Sequence, residues 1–156
     1  MPDWGSLRAL KDPRSIPEAL RDLLTSQSVD DEEVAYWRLE NVVVVSGGLY
    51  SSALYVVPVL IAALIDESRP SFIRVALYEL LFQIVHGDAT YDEPIRDLGD
   101  QCRAKAREGL ALFYYQLVNH TDWVREAARE IIEILDPDGP RLKLFDSTHL
   151  NNTNQQ

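Results

Sequence analysis

Residues 56–85 read VVPVLIAALIDESRPSFIRVALYELLFQIV, and this stretch decides the fold. Two apolar segments flank a polar link, Asp66-Glu67-Ser68-Arg69-Pro70-Ser71. In the second segment Ile73, Ala76, Leu77, Leu80 and Ile84 recur at the three- and four-residue steps of one helix face. In the first, Val57, Leu60, Ile61, Leu64 and Ile65 do the same. Val59, Ala62 and Ala63 make that helix apolar almost all round, which predicts a helix sandwiched between neighbours. Pro70 interrupts the chain between them, and Pro58 is expected in a first turn, where a missing N–H costs little. The stretch is a helical hairpin.

Working outward, Ile16, Leu20, Leu23 and Leu24 form one helix face behind Ser15, a candidate N-cap, and Pro17. A second helix starts at Asp30-Asp31-Glu32-Glu33, four carboxylates suited to a helix N-terminus. It carries Ala35, Leu39, Val42 and Val43 inward and is expected to run through Val45. The four valines at 42–45 favour a strand, but no second strand is evident, and Ser46-Gly47-Gly48 is read as the helix stop. Downstream, residues 86–99 form a polar insertion punctuated by Gly87, Pro94 and Gly99. One long helix is expected from Asp100 to Val118, with Cys102, Ala106, Leu110, Phe113 and Leu117 on one face. A last helix carries Val124, Ala127, Ala128, Ile131 and Leu135 and ends at Asp136-Pro137. Residues 141–145 are expected to be extended. Trp4 and Leu7 are expected to cap the first helices.

An offset of 41 residues superposes Ile16-Pro17 on Val57-Pro58, Leu23 on Leu64, Ala35 on Ala76, Leu39 on Leu80 and Val43 on Ile84. An offset of 51 superposes Ile73-Arg74 on Val124-Arg125, Leu80 on Ile131 and Ile84 on Leu135. A period near 40 built from helix pairs is a solenoid pattern. The run Leu64-Ile65-Asp66, Pro70, Ile73-Arg74, Ala76, Leu80 and Ile84 resembles a HEAT repeat, whose Asp and Arg typically brace the turn. The first copy departs from it, with Thr25 and Glu33 at those positions. The resemblance covers residues 15–136 and implies an all-α fold, a right-handed α-solenoid of about three HEAT-like hairpins. The expected organisation is one domain at 1–145 and a flexible polar tail at 146–156.

The formal charge of −10 opposes nucleic acid and anionic membranes, because phosphate binding needs clustered Lys and Arg. The single cysteine, Cys102, forbids an intrachain disulfide, and the first residues lack a signal-peptide core, so a cytoplasmic protein is expected. The longest apolar run is too short for a bilayer. His86, His120 and His149 are scattered, without metal-ligand spacing. Cys102 sits at core spacing with Ala106. Ser46-Gly47-Gly48 lacks the Lys of a phosphate loop. No enzyme, cofactor or metal is expected.

Recognition remains. The outward face of the second helix is expected to carry Glu33, Trp37, Glu40 and Asn41, and that of the fourth Tyr78, Glu79 and Phe82, with His86 beyond its end. The insertion offers Tyr91, Asp92 and Glu93. Aromatics flanked by carboxylates suit a basic protein surface. A small acidic protein without a catalytic set is similar to immunity proteins of interbacterial toxin systems, some of them HEAT-like. That resemblance implies binding and neutralising a toxin domain, basic if the charges are complementary. A general adaptor or assembly scaffold is the alternative. A HEAT-like DNA glycosylase would need a basic face, and a chromophore lyase a chemical site, and neither is visible in the sequence.

Overall fold

The computed structural model describes residues 2–153, with side chains to residue 148. The helices are α1 (Ile16–Thr25), α2 (Val29–Val43), α3 (Ala53–Leu64), α4 (Ser71–His86), α5 (Leu98–Arg107), α6 (Leu110–Asn119), α7 (Trp123–Leu135) and α8 (Pro140–Thr153). Three two-residue strands, β1 (Val44–Val45), β2 (Gly48–Leu49) and β3 (Asp88–Ala89), form a small sheet. The protein is thus mostly helical. The chain gathers into two compact units, Met1–Ala106 and Arg107–Gln156, and the domain expected at 1–145 spans both.

In the first unit α1 packs on α2, α3 on α4, and α2 on α4. Ser28 begins α2 by accepting the Asp31 N–H at 3.2 Å, and Asp30, Asp31 and Glu32 fill the positive first turn. Ser15, by contrast, caps nothing with its side chain, because a 3-10 turn at Pro13–Ser15 already leads into α1 and the Ser15 hydroxyl donates to the Asp12 carbonyl at 2.8 Å. The expected inward residues of α2 and α4 are buried: Ala35, Leu39, Val42 and Val43 on one, Ile73, Ala76, Leu77, Leu80 and Ile84 on the other.

The α3 helix differs from its expectation. It starts at Ala53, so Pro58 lies in mid-helix rather than in the first turn. A proline there cannot give an N–H to the carbonyl four residues back. Nor is α3 enclosed all round: Ile65, just past its end, is 64% exposed, Tyr55 is 39% exposed, and Pro58 and Ala62 also face outward. The fully covered face carries Ala53, Val56, Val57, Leu60 and Leu64.

The valine run also departs from the helical reading. The α2 helix stops at Val43, and Val44–Val45 pair antiparallel with Gly48–Leu49. Ser46 and Gly47 both have positive φ, 50° and 79°, which makes a tight two-residue hairpin turn matched to strand twist. The second strand is local, and the third lies inside the segment read as a polar insertion: Gly48–Leu49 pair parallel with Asp88–Ala89. Gly87 permits this, since a Cβ there would stand 2.8 Å from Leu49 Cδ2 and 2.9 Å from the Gly47 carbonyl oxygen.

The helix expected over 100–118 is two helices. Glu108-Gly109 interrupts it, and Gly109 caps α6 at φ −90°, ψ 0°. In the second unit α6 packs on α7, burying Phe113, Leu117, Val124, Ala128, Ile131, Ile132 and Leu135. Residues 141–145 are helical, not extended. Pro140 opens α8 with its fixed φ, the Lys143 N–H bonds the Gly139 carbonyl at 3.3 Å, and Leu142 is buried. Arg129 of α7 grips Asp146 of α8 with two bonds, 2.7 and 3.0 Å. The backbone stays helical through Thr153, and residues 154–156 of the expected tail lie outside the described residues. Among the described residues no helix is long and apolar enough to cross a membrane.

Candidate acidic and aromatic groove

The helical step places Glu32, Glu33, Tyr36, Trp37 and Glu40 along one side of α2, and Phe72, Val75, Glu79 and Gln83 along one side of α4. Because α2 and α4 pack together, these rows meet. Between them lies a cavity of about 220 Å³, lined by Glu32, Glu33, Tyr36, Trp37, Phe72, Val75, Ala76 and Glu79. Trp37 is 49% exposed and stands edge-on to Tyr36, ring centroids 5.6 Å apart. Gln83 Nε2 donates to the Tyr36 hydroxyl at 2.7 Å and links the two helices at the far end of the row.

No Lys or Arg lines this cavity. Arg38, the one cation on α2, instead reaches α1, 2.6 Å from Asp22 and 3.4 Å from Glu18. The carboxylates therefore feel one another. Partial burial, then the charges of Glu33 and Glu79, raise the Glu32 carboxyl above its ordinary range. Partial burial and Glu79 likewise raise Glu40, against a lowering hydrogen bond from Gln83. The Tyr36 phenol is pushed up by burial and then by Glu79 and Glu40. Glu79 acts on all three, so it is the electrostatic centre of the groove. A cation placed here would relieve these repulsions.

Of the residues expected to bind, Glu33, Trp37 and Glu79 meet at this groove and are exposed, and Glu40 and Asn41 are half-buried along the same helix. Phe82 is half-buried and packs on His86, centroids 4.6 Å apart. Tyr78 is not on this surface. It is 4% exposed, because α4 packs against both α2 and α3 and little of its circumference remains free. Burial raises its phenol.

Glu93 is also misplaced as a contact residue. It is fully buried, where Oε2 accepts the Ser51 N–H at 3.1 Å and Oε1 the Ile95 N–H at 3.5 Å, with Arg8 Nε 3.9 Å away. A buried carboxylate so satisfied holds a loop in place. Its neighbour Asp92 meets Arg8 at 2.7 Å and accepts from the Thr90 hydroxyl at 3.0 Å. Tyr91 is 93% exposed and remains free to touch a partner. The sequence reading omitted Glu32, Tyr36, Phe72 and Gln83. The signal was there in the four-residue spacing Glu32–Tyr36–Glu40 and the same helical side of Phe72, Val75 and Glu79.

On α7, Arg129 is held by Glu133 at 2.8 Å and by Asp146, leaving Glu126, Glu130 and Glu133 exposed. Asp88 pairs with Arg103 at 3.1 Å. Cys102 is buried, and its thiol is pushed up to about 12 by that burial. Among the described residues no group of three His, Cys, Asp or Glu side chains could hold a metal ion. No family model matches the chain, and no curated protein or solved structure matches it either.

Proposed function

We infer that this chain is a non-catalytic binding protein whose α2–α4 groove receives a basic segment of a partner protein. The observation that carries the reading is the repulsive cluster of Glu32, Glu33, Glu40 and Glu79 beside the half-exposed Trp37. A Lys or Arg entering there exchanges carboxylate repulsion for attraction, and the aromatic wall covers its apolar stem. The overall charge of −10 adds long-range steering toward a basic surface.

Within that reading an immunity protein fits best, one that binds and neutralises a cognate basic toxin domain in the cytoplasm. Supporting the HEAT-like part are the two hairpins of the first unit, which stack through their second helices, α2 and α4. Extending that stack with α6 and α7 to a right-handed solenoid of about three hairpins belongs to the same proposal. An adaptor that holds a basic subunit of an assembly would use the same groove.

The test has two stages. The purified chain and a Glu33→Lys/Glu40→Lys/Glu79→Lys variant are used as baits at low and physiological salt, and retained proteins are identified. A basic partner lost by the variant supports the groove, whereas equal retention by both baits overturns it. The partner is then expressed alone and with the chain. Growth arrest relieved by the chain supports immunity, and a harmless partner leaves the adaptor.

A further inference from the structure

A second cavity, sharing no lining residue with the acidic groove, opens between α1 and α3 in the first unit. Its volume is about 570 Å³, within the ordinary range for small-molecule sites. Leu20 and Leu24 of α1 line one side, and Tyr55, Pro58 and Val59 of α3 the other. Trp4 closes an end from the N-terminal 3-10 turn.

Three features indicate a preformed cavity rather than a gap awaiting collapse. Trp4 and Tyr55 meet edge to face, centroids 6.5 Å apart and planes at 69°, so each ring fixes the other. Pro17 and Pro58 place rigid rings on the wall, the second in mid-helix, where proline opposes regular backbone bonding. The turn that carries Trp4 is itself held, with Asp3 Oδ1 accepting the Gly5 N–H at 3.1 Å.

The cavity also has a charge. Arg21 is the one charged residue among those lining it. The acidic residues nearest on its helix, Glu18 and Asp22, are both occupied by Arg38. Among the described residues Arg21 makes no ion pair, and its exposed side chain lies along the cavity's edge, so its guanidinium is free to reach a ligand seated there. A guanidinium in that position pairs with a carboxylate.

We propose that the α1–α3 cavity is a binding site for a small amphipathic carboxylate, its apolar body against Trp4, Leu24, Tyr55 and Pro58 and its carboxylate on Arg21. A medium-chain fatty acid has this form. The site works with or without a protein in the acidic groove.

The probe is decanoate, with decyltrimethylammonium as a tail of equal length and opposite charge, both below their micelle concentrations. Binding is read by calorimetry and by the indole N–H resonance of Trp4, with that of Trp37 as the remote reference. Decanoate is expected to shift Trp4 and leave Trp37 in place, and to bind at least tenfold tighter than the cation. Arg21→Glu should erase or invert that preference. Val59→Trp, which fills the cavity, should abolish binding, and Thr25→Trp at the exposed end of α1 does the same without touching the core if the first variant fails to fold. Equal binding of the two tails, an unmoved Trp4 resonance, or undiminished affinity in a folded cavity-filling variant would each overturn the site.

Discussion

Gln83 Nε2 lies 2.7 Å from the Tyr36 hydroxyl, and this bond joins α4 to α2 beside the carboxylates of Glu40 and Glu79. Tyr36 is 6% exposed and Gln83 is half-buried. Tyr36→Phe removes the bond that ties α4 to α2 at this point, while the Gln83 amide keeps its bond to Glu40. The expected loss is about 1 kcal/mol of stability, read as a lower urea midpoint with an unchanged slope.

The raised carboxyls of Glu32 and Glu40 give the groove a pH dependence of definite sign. A carboxyl raised in the folded state holds its proton more tightly there than in the unfolded chain. Its contribution to stability falls as pH rises from the ordinary carboxylate range through the raised value, and the full penalty persists at neutral pH. Glu79→Gln relieves the part of that penalty that comes from its own charge, the larger part being burial. The variant should melt about 1 °C higher than the native protein at pH 7, given how exposed these groups are, and the difference should shrink as pH falls through the carboxylate range. Melting curves at pH 7, 5 and 4 decide it, and a difference that grows toward acid would contradict the sign.

Glu93 tests whether the loop after β3 is a scaffold or a free contact. Glu93→Ala leaves the buried Ser51 N–H without its acceptor and should cost about 2 kcal/mol. Glu93→Gln keeps an acceptor and should lose less. Partner binding should be affected by neither, provided both variants fold at the assay temperature. The exposed Tyr91 is the residue of that loop whose loss would register in binding.

Trp37 and Phe82 should separate surface from support. Trp37→Ala is expected to weaken partner binding at least tenfold while leaving the melting temperature within about 2 °C, since half the ring is already in water. Phe82→Ala should cost about 1–2 kcal/mol of stability, because its half-buried ring packs on His86.

The parts of this fold visible in the sequence are those where one face meets one neighbour. On α2 the inward residues Ala35, Leu39, Val42 and Val43 follow from spacing alone. Spacing fails where a helix is packed on two sides. Tyr78 looks outward because the inward stripe of α4 is complete without it, yet a second neighbour covers it. It fails on α3 for the opposite reason, since an all-apolar sequence there accompanies an open cavity instead of a second packed neighbour. The sheet was hidden because each strand is two residues long and the β2–β3 pair joins segments remote in sequence. Glu93 was misjudged because a carboxylate in a polar loop gives no sign that backbone N–H groups will enclose it. The groove was half legible. Glu33, Trp37, Glu40 and Glu79 stand where helical phase puts them, whereas the Gln83–Tyr36 bond depends on how α2 and α4 are packed.

The parallel pairing of β2 with β3 also governs the order in which the first unit assembles. Gly48 and Asp88 are partners about forty residues apart, and the whole α3–α4 hairpin lies between them. Contacts within that hairpin close short loops, whereas the ladder must close one long loop for a few hydrogen bonds. The helices are therefore expected to condense first and bring the two strands within reach, which would make the ladder the last piece to form and the first to open. Amide exchange should show it: the Asp88 and Thr90 N–H groups, bonded to the Gly47 and Leu49 carbonyls at 3.1 Å each, should exchange well before those of Leu77 and Leu80. The clasp would then release the segment carrying Tyr91 while the helical core stays folded, a partial opening that proteases and partners alike would meet before global unfolding.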